Sequence, residues 1–371
     1  MIFNLESLIV LSVIIIALFF FGFSITYKLM PKVIQNLDAR GIYGFDVHKQ
    51  TRPKVPEMGG VGFFAFALIV LILALIASFF FFQEEFIKII ATIGGLFMAF
   101  FIGLFDDLKK RKGKGLGAKT KPILCLAIGF PIFSLGGYQT SNYLWITLRD
   151  LGMLPILSFE VYHPSLLLPF LGRARLTFVY PLLIFLICTV CANTYNMIDV
   201  YNGAMPGIGI ISFIIIMGAS FLFSSFSGIL LSAIFLGILI AYFQYNKYPA
   251  RVFSGDVGSL TIGAAFAATI IISKTELVGV IVCIPIIMNS FQTLRSFGGF
   301  KEHSEVKIKP TVLLSDGKLD ISMKKNVPIT LAGLVLIKGP LQEQEIVKMF
   351  HILTLYSGIL ALITTILTIT L

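Results

Sequence analysis

The chain has 371 residues, 57% hydrophobic and 13% charged, where soluble proteins average about 45–50% and about 25%. With a mean hydropathy of +0.93, it cannot be a soluble multidomain protein, a disordered chain or a disulfide scaffold, and lipid must be the solvent for much of it. The anomaly is the charge: 29 Lys+Arg against 19 Asp+Glu give a net +10, and where that excess sits bears on function.

Stretches free of Asp, Glu, Lys and Arg mark the spans in chain order. A crossing helix needs about 20 apolar residues. The expected spans are 7–27, 58–83, 89–105, 122–138, 176–198, 203–223, 227–246, 257–273, 277–294 and 349–371. The charge-free run 200–246 is too long for one crossing, so it is divided at a turn near Ser224, Ser225, Ser227 and Gly228. The head before the first span holds Glu6 and no Lys or Arg, unlike a cleaved signal, so 7–27 reads as a retained helix. The segment 138–175, with Gly136, Gly137, Pro164 and Pro169 at turns, is expected to form a short outer hairpin. The apolar piece 326–337 is too short to cross and is expected in a loop or at the interface. Cys125, Cys188, Cys191 and Cys283 all fall in spans and read as packing thiols. The fold class is therefore an all-α polytopic membrane protein of about ten transmembrane helices, read as one domain over 1–371.

Strict alternation puts 24 of the 29 basic residues on one face, in the loops 28–57, 106–121, 247–256 and 295–348. By the positive-inside rule that face is cytoplasmic and both termini lie outside. Topology alone accounts for the side, but not for the acids that share those loops.

Five polar clusters lie on that face. His48-Lys49 to Gly59-Gly60 is basic, with Glu57 before the glycines; a solvated loop would look alike. Asp106-Asp107 closes the third span and is followed by seven basic residues up to Lys121. Adjacent carboxylates at an interface need a compensating cation, and clustered Lys and Arg bind phosphates, a combination that points to phosphoryl transfer. Asn193, Asn196, Asp199 and Asn202 recur every third residue and stay near one helix face, where lipid contact would be costly. Interhelical hydrogen bonding is the plainer explanation of that run. Asp256, in Ser-Gly-Asp-Val-Gly-Ser, opens the eighth span and suits either a ligand site or a helix cap. The loop from Arg295 holds His303, Lys307 and Lys309.

In this order the motifs resemble the polyprenyl-phosphate N-acetylhexosamine-1-phosphate transferases over about residues 45–320. YPARVFSGD (248–256), Pro56-Glu57 and KPT…SDGKL (309–319) are most similar to the eukaryotic and archaeal branch that primes N-glycosylation. Asp199-Val-Tyr-Asn202-Gly203, in place of DGLDG, and the single His303 depart from the bacterial cell-envelope branches. The resemblance implies transfer of GlcNAc-1-phosphate from UDP-GlcNAc to a dolichyl-type polyprenyl phosphate, with release of UMP. It implies Mg²⁺, with Mn²⁺ as a substitute, held by Asn196 and Asp256. Asp106 and Asp107 would orient or deprotonate the acceptor phosphate, with Asp256 completing the catalytic acids. Lys121 would bind donor phosphate, Asn202 uracil, and Glu57 the uridine. Lys49, Asp199, Arg295, His303, Lys307 and Lys309 are further candidates for substrate binding. A homodimer is compatible with the resemblance, nucleic acid is not a partner, and the membrane is the plasma membrane or, in a eukaryote, the endoplasmic reticulum. The alternatives are a bacterial-type UDP-sugar:undecaprenyl-phosphate transferase or a transporter of an anionic solute. A transporter should place its polar groups near the midplane, and here they sit at span ends on one side.

Overall fold

A computed structural model describes residues 5–117, 119–136, 161–162, 165–169, 172–176, 178–296, 309–324 and 327–370. Its long helices are α1 (Leu5–Ala39), α2 (Gly60–Phe81), α3 (Phe86–Arg111), α6 (Tyr180–Ile198), α7 (Ala204–Leu222), α8 (Phe226–Asn246), α9 (Gly255–Ile272) and α13 (Glu343–Thr370). Among the described residues these eight are long and apolar enough to cross a membrane. Counted as one span, the pair α10 (Glu276–Val282) and α11 (Ile284–Ser296), bent by 64° where Cys283 precedes Ile284-Pro285, makes a ninth. Proline lacks the N–H that would continue the hydrogen-bond ladder.

The stretch expected at 122–138 is the exception in length. Its described part, ending at Gly136, holds α4 (Thr120–Cys125), a 3₁₀ turn and α5 (Phe130–Leu135). At 1.5 Å per residue it reaches roughly 24 Å, short of a hydrocarbon core of about 30 Å. The long apolar run after Asp199 divides into α7 and α8 at Phe223–Ser225, with Ser224 in the left-handed region (φ 55°). Within the segment 138–175 a hairpin forms from β3 (Ser165–Leu168) against β4 (Gly172–Arg175), antiparallel with Leu168 opposite Gly172; residues 137–160, 163–164 and 170–171 lie outside the described set. The apolar piece near 326–337 is the short helix α12 (Leu331–Val335), which packs on α11 and α13.

Two small hairpins frame the opposite end of the bundle: β1 (Tyr43–Phe45) with β2 (Lys54–Pro56), and β5 (Thr311–Leu313) with β6 (Leu319–Ile321). Gln50 Nε2 donates to the Ser315 carbonyl at 2.5 Å and ties the first loop to the second hairpin.

The core is organised around α9. Burial covers 94% of its apolar window, against 22% for α1 and 28% for α13. Small residues let neighbouring backbones approach it closely. A Cβ on Gly103 of α3 would lie 2.5 Å from the Val257 Cα, and one on Gly263 would lie 2.6 Å from the Ala192 Cα of α6. α3, α6 and α9 therefore touch at backbone distance, and their polar ends meet on one side.

Candidate active site

Asp256 stands in the first turn of α9 and is 7% exposed. Its Oδ2 accepts from Lys110 Nζ at 2.6 Å and from Lys121 Nζ at 2.5 Å. Its Oδ1 accepts from Asn196 Nδ2 at 2.7 Å, and the same amide donates to Ser259 Oγ at 2.8 Å. Asp106 Oδ2 lies 2.9 Å from Lys121 Nζ and 3.3 Å from Lys110 Nζ. Two carboxylates thus share two ammonium groups at the meeting point of α3, α4, α6 and α9. Neither acid would remain charged in so enclosed a place without such compensation.

Asp107 does a different job from its neighbour. Its oxygens accept the backbone N–H groups of Asp256 and Val257, both at 3.0 Å. It caps the start of α9 from another helix, where a negative charge favours the helix dipole. Gly255 makes this approach feasible: its φ is +68°, and a Cβ there would lie 2.6 Å from Asp107 Oδ2. A side chain could take neither the conformation nor the space.

Beside this cluster opens a cavity of about 360 Å³, lined by Gly41, Tyr43, Glu57, Met58, Asp107, Lys110 and Arg111. Burial raises the Glu57 carboxyl above its ordinary pKa, against the opposing charge of Lys110. Asp199 follows α6; burial raises its pKa to about 7, a hydrogen bond from Ser254 opposes this, and the charges of Asp256 and Glu57 add to it.

A second polar cluster surrounds the Asn202–Gly203 turn between α6 and α7. Asn202 N donates to Glu343 Oε1 at 2.7 Å, and Asn202 Nδ2 donates to Asp46 Oδ2 at 3.0 Å. Lys49 pairs with Asp46 and lies 4.5 Å from the centre of the Tyr248 ring. His48 stacks on Tyr201 with ring centres 4.7 Å apart, and burial lowers its pKa to about 4, with Asp46 opposing and Lys309 assisting.

Of the residues expected from the sequence, Asp106, Asp107, Lys121, Asn196 and Asp256 come together in the first cluster, with Glu57 on its cavity and Asp199 within electrostatic reach of Asp256. Asn202 and Lys49 belong to the second, with Lys309 near it. Arg295 ends α11 with an exposed side chain, and His303 and Lys307 lie outside the described residues. Among the polar residues of these clusters that the sequence did not single out individually are Lys110, Asp46 and Glu343. Lys110 could have been found, since it lies four residues after Asp106 on the same helix face. Asp46 sits three residues before Lys49, a weaker sign. No local signal marked Glu343, which meets Asn202 from 141 residues away.

The first cluster suits a divalent metal in composition. Asp106, Asp256 and the Asn196 amide offer hard oxygen donors, the set that Mg²⁺ takes, and their crowded negative charge already needs cations. Among the described residues a second group, Asp46, His48 and Glu343, brings three donor atoms within 4.8 Å of one another. There Lys49 and Asn202 meet Asp46, and Glu343 meets the Asn202 backbone N–H, so these residues also hold the turn.

Residues 89–274, half of the chain, match glycosyl transferase family 4. The chain is 28% identical to a protein of Methanocaldococcus jannaschii named as a glycosyltransferase, over 86% of this chain and 87% of that protein. It is 27% identical to a protein of Saccharolobus solfataricus named as a UDP-N-acetylglucosamine–dolichyl-phosphate N-acetylglucosaminephosphotransferase, over 88% and 89% of the two chains. It is 26% identical to a phospho-N-acetylmuramoyl-pentapeptide-transferase of a Nitratiruptor species, over 93% and 92%.

Proposed function

We infer the activity from one premise: the chain belongs to glycosyl transferase family 4. On that premise it is an integral membrane sugar-1-phosphate transferase acting on a polyprenyl phosphate, and UDP-GlcNAc is its donor. An oxygen of the lipid phosphate attacks the β-phosphorus of the donor. The bond from that phosphorus to the UMP oxygen breaks, giving polyprenyl-pyrophosphoryl-GlcNAc and UMP. The observation that carries this reading is the Asp106–Lys110–Lys121–Asp256 cluster, which lies wholly inside the family-matched segment.

The two substrates are both anionic and repel each other, so the reaction needs fixed cations where they meet. Lys110 and Lys121 provide two, and either ammonium can move from carboxylate to phosphate with little motion. Asn196 and Asp256 would hold Mg²⁺, which when bound adds charge neutralisation at the pyrophosphate. Asp106 orients the acceptor phosphate through the shared lysines. Asp107, with its oxygens on the α9 backbone, keeps Asp256 in place. Glu57 faces the cavity in which the donor is placed. The excess of basic residues in the loops at this end favours a cytoplasmic setting by the positive-inside rule, in which a nucleotide sugar can reach a phosphate whose tail stays in lipid.

Relatives named for GlcNAc-1-phosphate transfer and for phospho-MurNAc-pentapeptide transfer match at similar identity and coverage. The Asp199-Val-Tyr-Asn202-Gly203 sequence favours the first. The deciding assay gives the purified protein UDP-GlcNAc or UDP-MurNAc-pentapeptide, with dolichyl or undecaprenyl phosphate, with and without Mg²⁺. UMP release that needs UDP-GlcNAc, lipid and metal together supports the reading. Release from UDP-MurNAc-pentapeptide alone would replace GlcNAc with the second donor.

A further inference from the structure

Two carboxylates and an imidazole converge beside the Asn202–Gly203 turn. Asp46 and His48 lie in the loop between β1 and β2, and Glu343 opens α13 at the far end of the chain. One donor atom from each lies within 4.8 Å of the other two. Asp46 is 3% and Glu343 4% exposed, so neither is a solvated surface acid. Burying a carboxylate without a compensating cation is costly. Asp46 has such a cation in Lys49. Among the described residues Glu343 has no ion pair. Its Oε1 accepts from Asn202 N at 2.7 Å, and its Oε2 is buried with no hydrogen-bond partner.

The other two groups also keep a free donor atom. Lys49 and Asn202 both take Asp46 Oδ2, which leaves Oδ1 with only the His48 backbone N–H at 3.2 Å. The His48 ring lies face to face with Tyr201, and among the described residues nothing hydrogen-bonds its ring nitrogens. Stacking holds the plane of the ring and leaves the edge, where both nitrogens lie, for a ligand. His48 is only partly buried, which gives an ion a way in. The plainer reading is that Glu343 serves only to hold the turn. One oxygen suffices for that, so the reading does not account for the buried Oε2. Nor is Glu343 the only tie, since His351 Nε2 of the same helix lies 3.3 Å from the Gly203 carbonyl.

We propose that Asp46, His48 and Glu343 bind a divalent transition-metal ion of the Zn²⁺ type, at a structural site separate from the carboxylate–lysine cluster. A mixed imidazole and carboxylate set suits Zn²⁺, whereas Mg²⁺ and Ca²⁺ take oxygen donors. Zn²⁺ bonds of about 2.0–2.2 Å in a tetrahedron set the donor atoms about 3.4 Å apart, so atoms already within 4.8 Å of one another need to move by only about 1 Å. The ion supplies the cation that Glu343 lacks, while Lys49 keeps Oδ2 and its place over the Tyr248 ring. It joins the β1–β2 loop to the start of α13, and water completes its coordination. No step of sugar-phosphate transfer passes through it.

The test uses the full-length protein in detergent, stripped by a chelator that is then removed, with Zn²⁺ or Mg²⁺ alone as probe. Bound zinc is counted by elemental analysis after gel filtration, and melting is followed in parallel. Wild type should retain one more equivalent of Zn²⁺ than Glu343→Gln or His48→Gln, and Zn²⁺ should raise its melting temperature by several degrees. Each variant keeps a polar side chain of similar size, and should weaken Zn²⁺ binding at this site at least about tenfold. Comparison with the variants subtracts zinc held elsewhere, at Asp106 and Asp256 or at cysteines. Co²⁺ adds a signature that a purely structural role for these residues would not move: its visible absorption should weaken in His48→Gln. Equal zinc content and equal Zn²⁺-induced melting shifts in wild type and a folded variant overturn the proposal. If one variant does not fold, the other decides. If neither folds, a wild type that melts alike with and without Zn²⁺, or that responds equally to Mg²⁺, overturns it.

Discussion

Gly103→Ala tests whether the backbone contact between α3 and α9 sets the site. The new Cβ would stand 2.5 Å from the Val257 Cα and 2.6 Å from the Asp256 carbonyl oxygen, where ordinary contacts lie at 3.4–4 Å. The obstructing atoms are backbone and cannot rotate away, so the helices must part by about 1 Å. The same displacement lengthens the two Asp107 bonds to Asp256 N and Val257 N from 3.0 Å to about 4 Å, outside hydrogen-bonding range. Overpacking costs about 1–3 kcal/mol, and two weakened bonds to a charged acceptor raise the total to about 2–5 kcal/mol. A shift of about 1 Å at the reacting centre is worth roughly 100-fold in rate. The expected result is a lower melting temperature and a kcat/KM for UMP release reduced by about two orders of magnitude. Gly218→Ala is the control, since a Cβ there meets Leu362 Cδ2 at 3.5 Å, an ordinary contact. If Gly103→Ala keeps wild-type melting and activity within twofold, the coupling of helix contact to site geometry is wrong.

Asp256→Asn removes the negative charge shared by Lys110 and Lys121 and should abolish labelled sugar-phosphate transfer into lipid while the protein still folds; wild-type turnover would remove Asp256 from the site. Lys110→Met should raise the KM for the UDP-sugar and lower kcat, together at least about tenfold in kcat/KM, for loss of one cation at a phosphate; unchanged kinetics would leave Lys121 as the working lysine. His48 has its pKa lowered to about 4 from 6.5, so folding excludes the charged form. The stability this confers is complete above pH 6.5 and is lost as pH falls from about 6.5 to 4. His48→Gln should therefore show a shallower fall in melting temperature between pH 7.5 and 4.5, and equal slopes in the two proteins would contradict the assignment.

The spans were legible because lipid imposes long charge-free runs, and the break near Ser224 because one run was too long for a single crossing. The stretch expected at 122–138 is described only as far as Gly136, and its charge-free run marked its place but not the 3₁₀ break between α4 and α5. Asp106, Asp107 and Asp256 stood out because isolated acids at span ends have few reasons to be there. Their division of labour could not be read. Asp106 and Asp107 are adjacent in sequence and on different faces of α3, so one meets the lysines and the other the α9 backbone. Glu343 was invisible because its partner lies on the other side of four intervening spans, and nothing in the residues around it differs from an ordinary first-turn acid.

The two clusters hang from very different supports. Asp256 opens the most enclosed helix, whereas the Asn202 turn is tied through Glu343 and His351 to α13, one of the least enclosed. Changes in bilayer thickness act on lipid-facing helices by tilting them. Such a tilt would reach the Asn202 turn through two hydrogen bonds and would leave the carboxylate–lysine centre shielded. In membranes of different thickness, the geometry of that turn is thus what should drift, while the carboxylate–lysine centre holds.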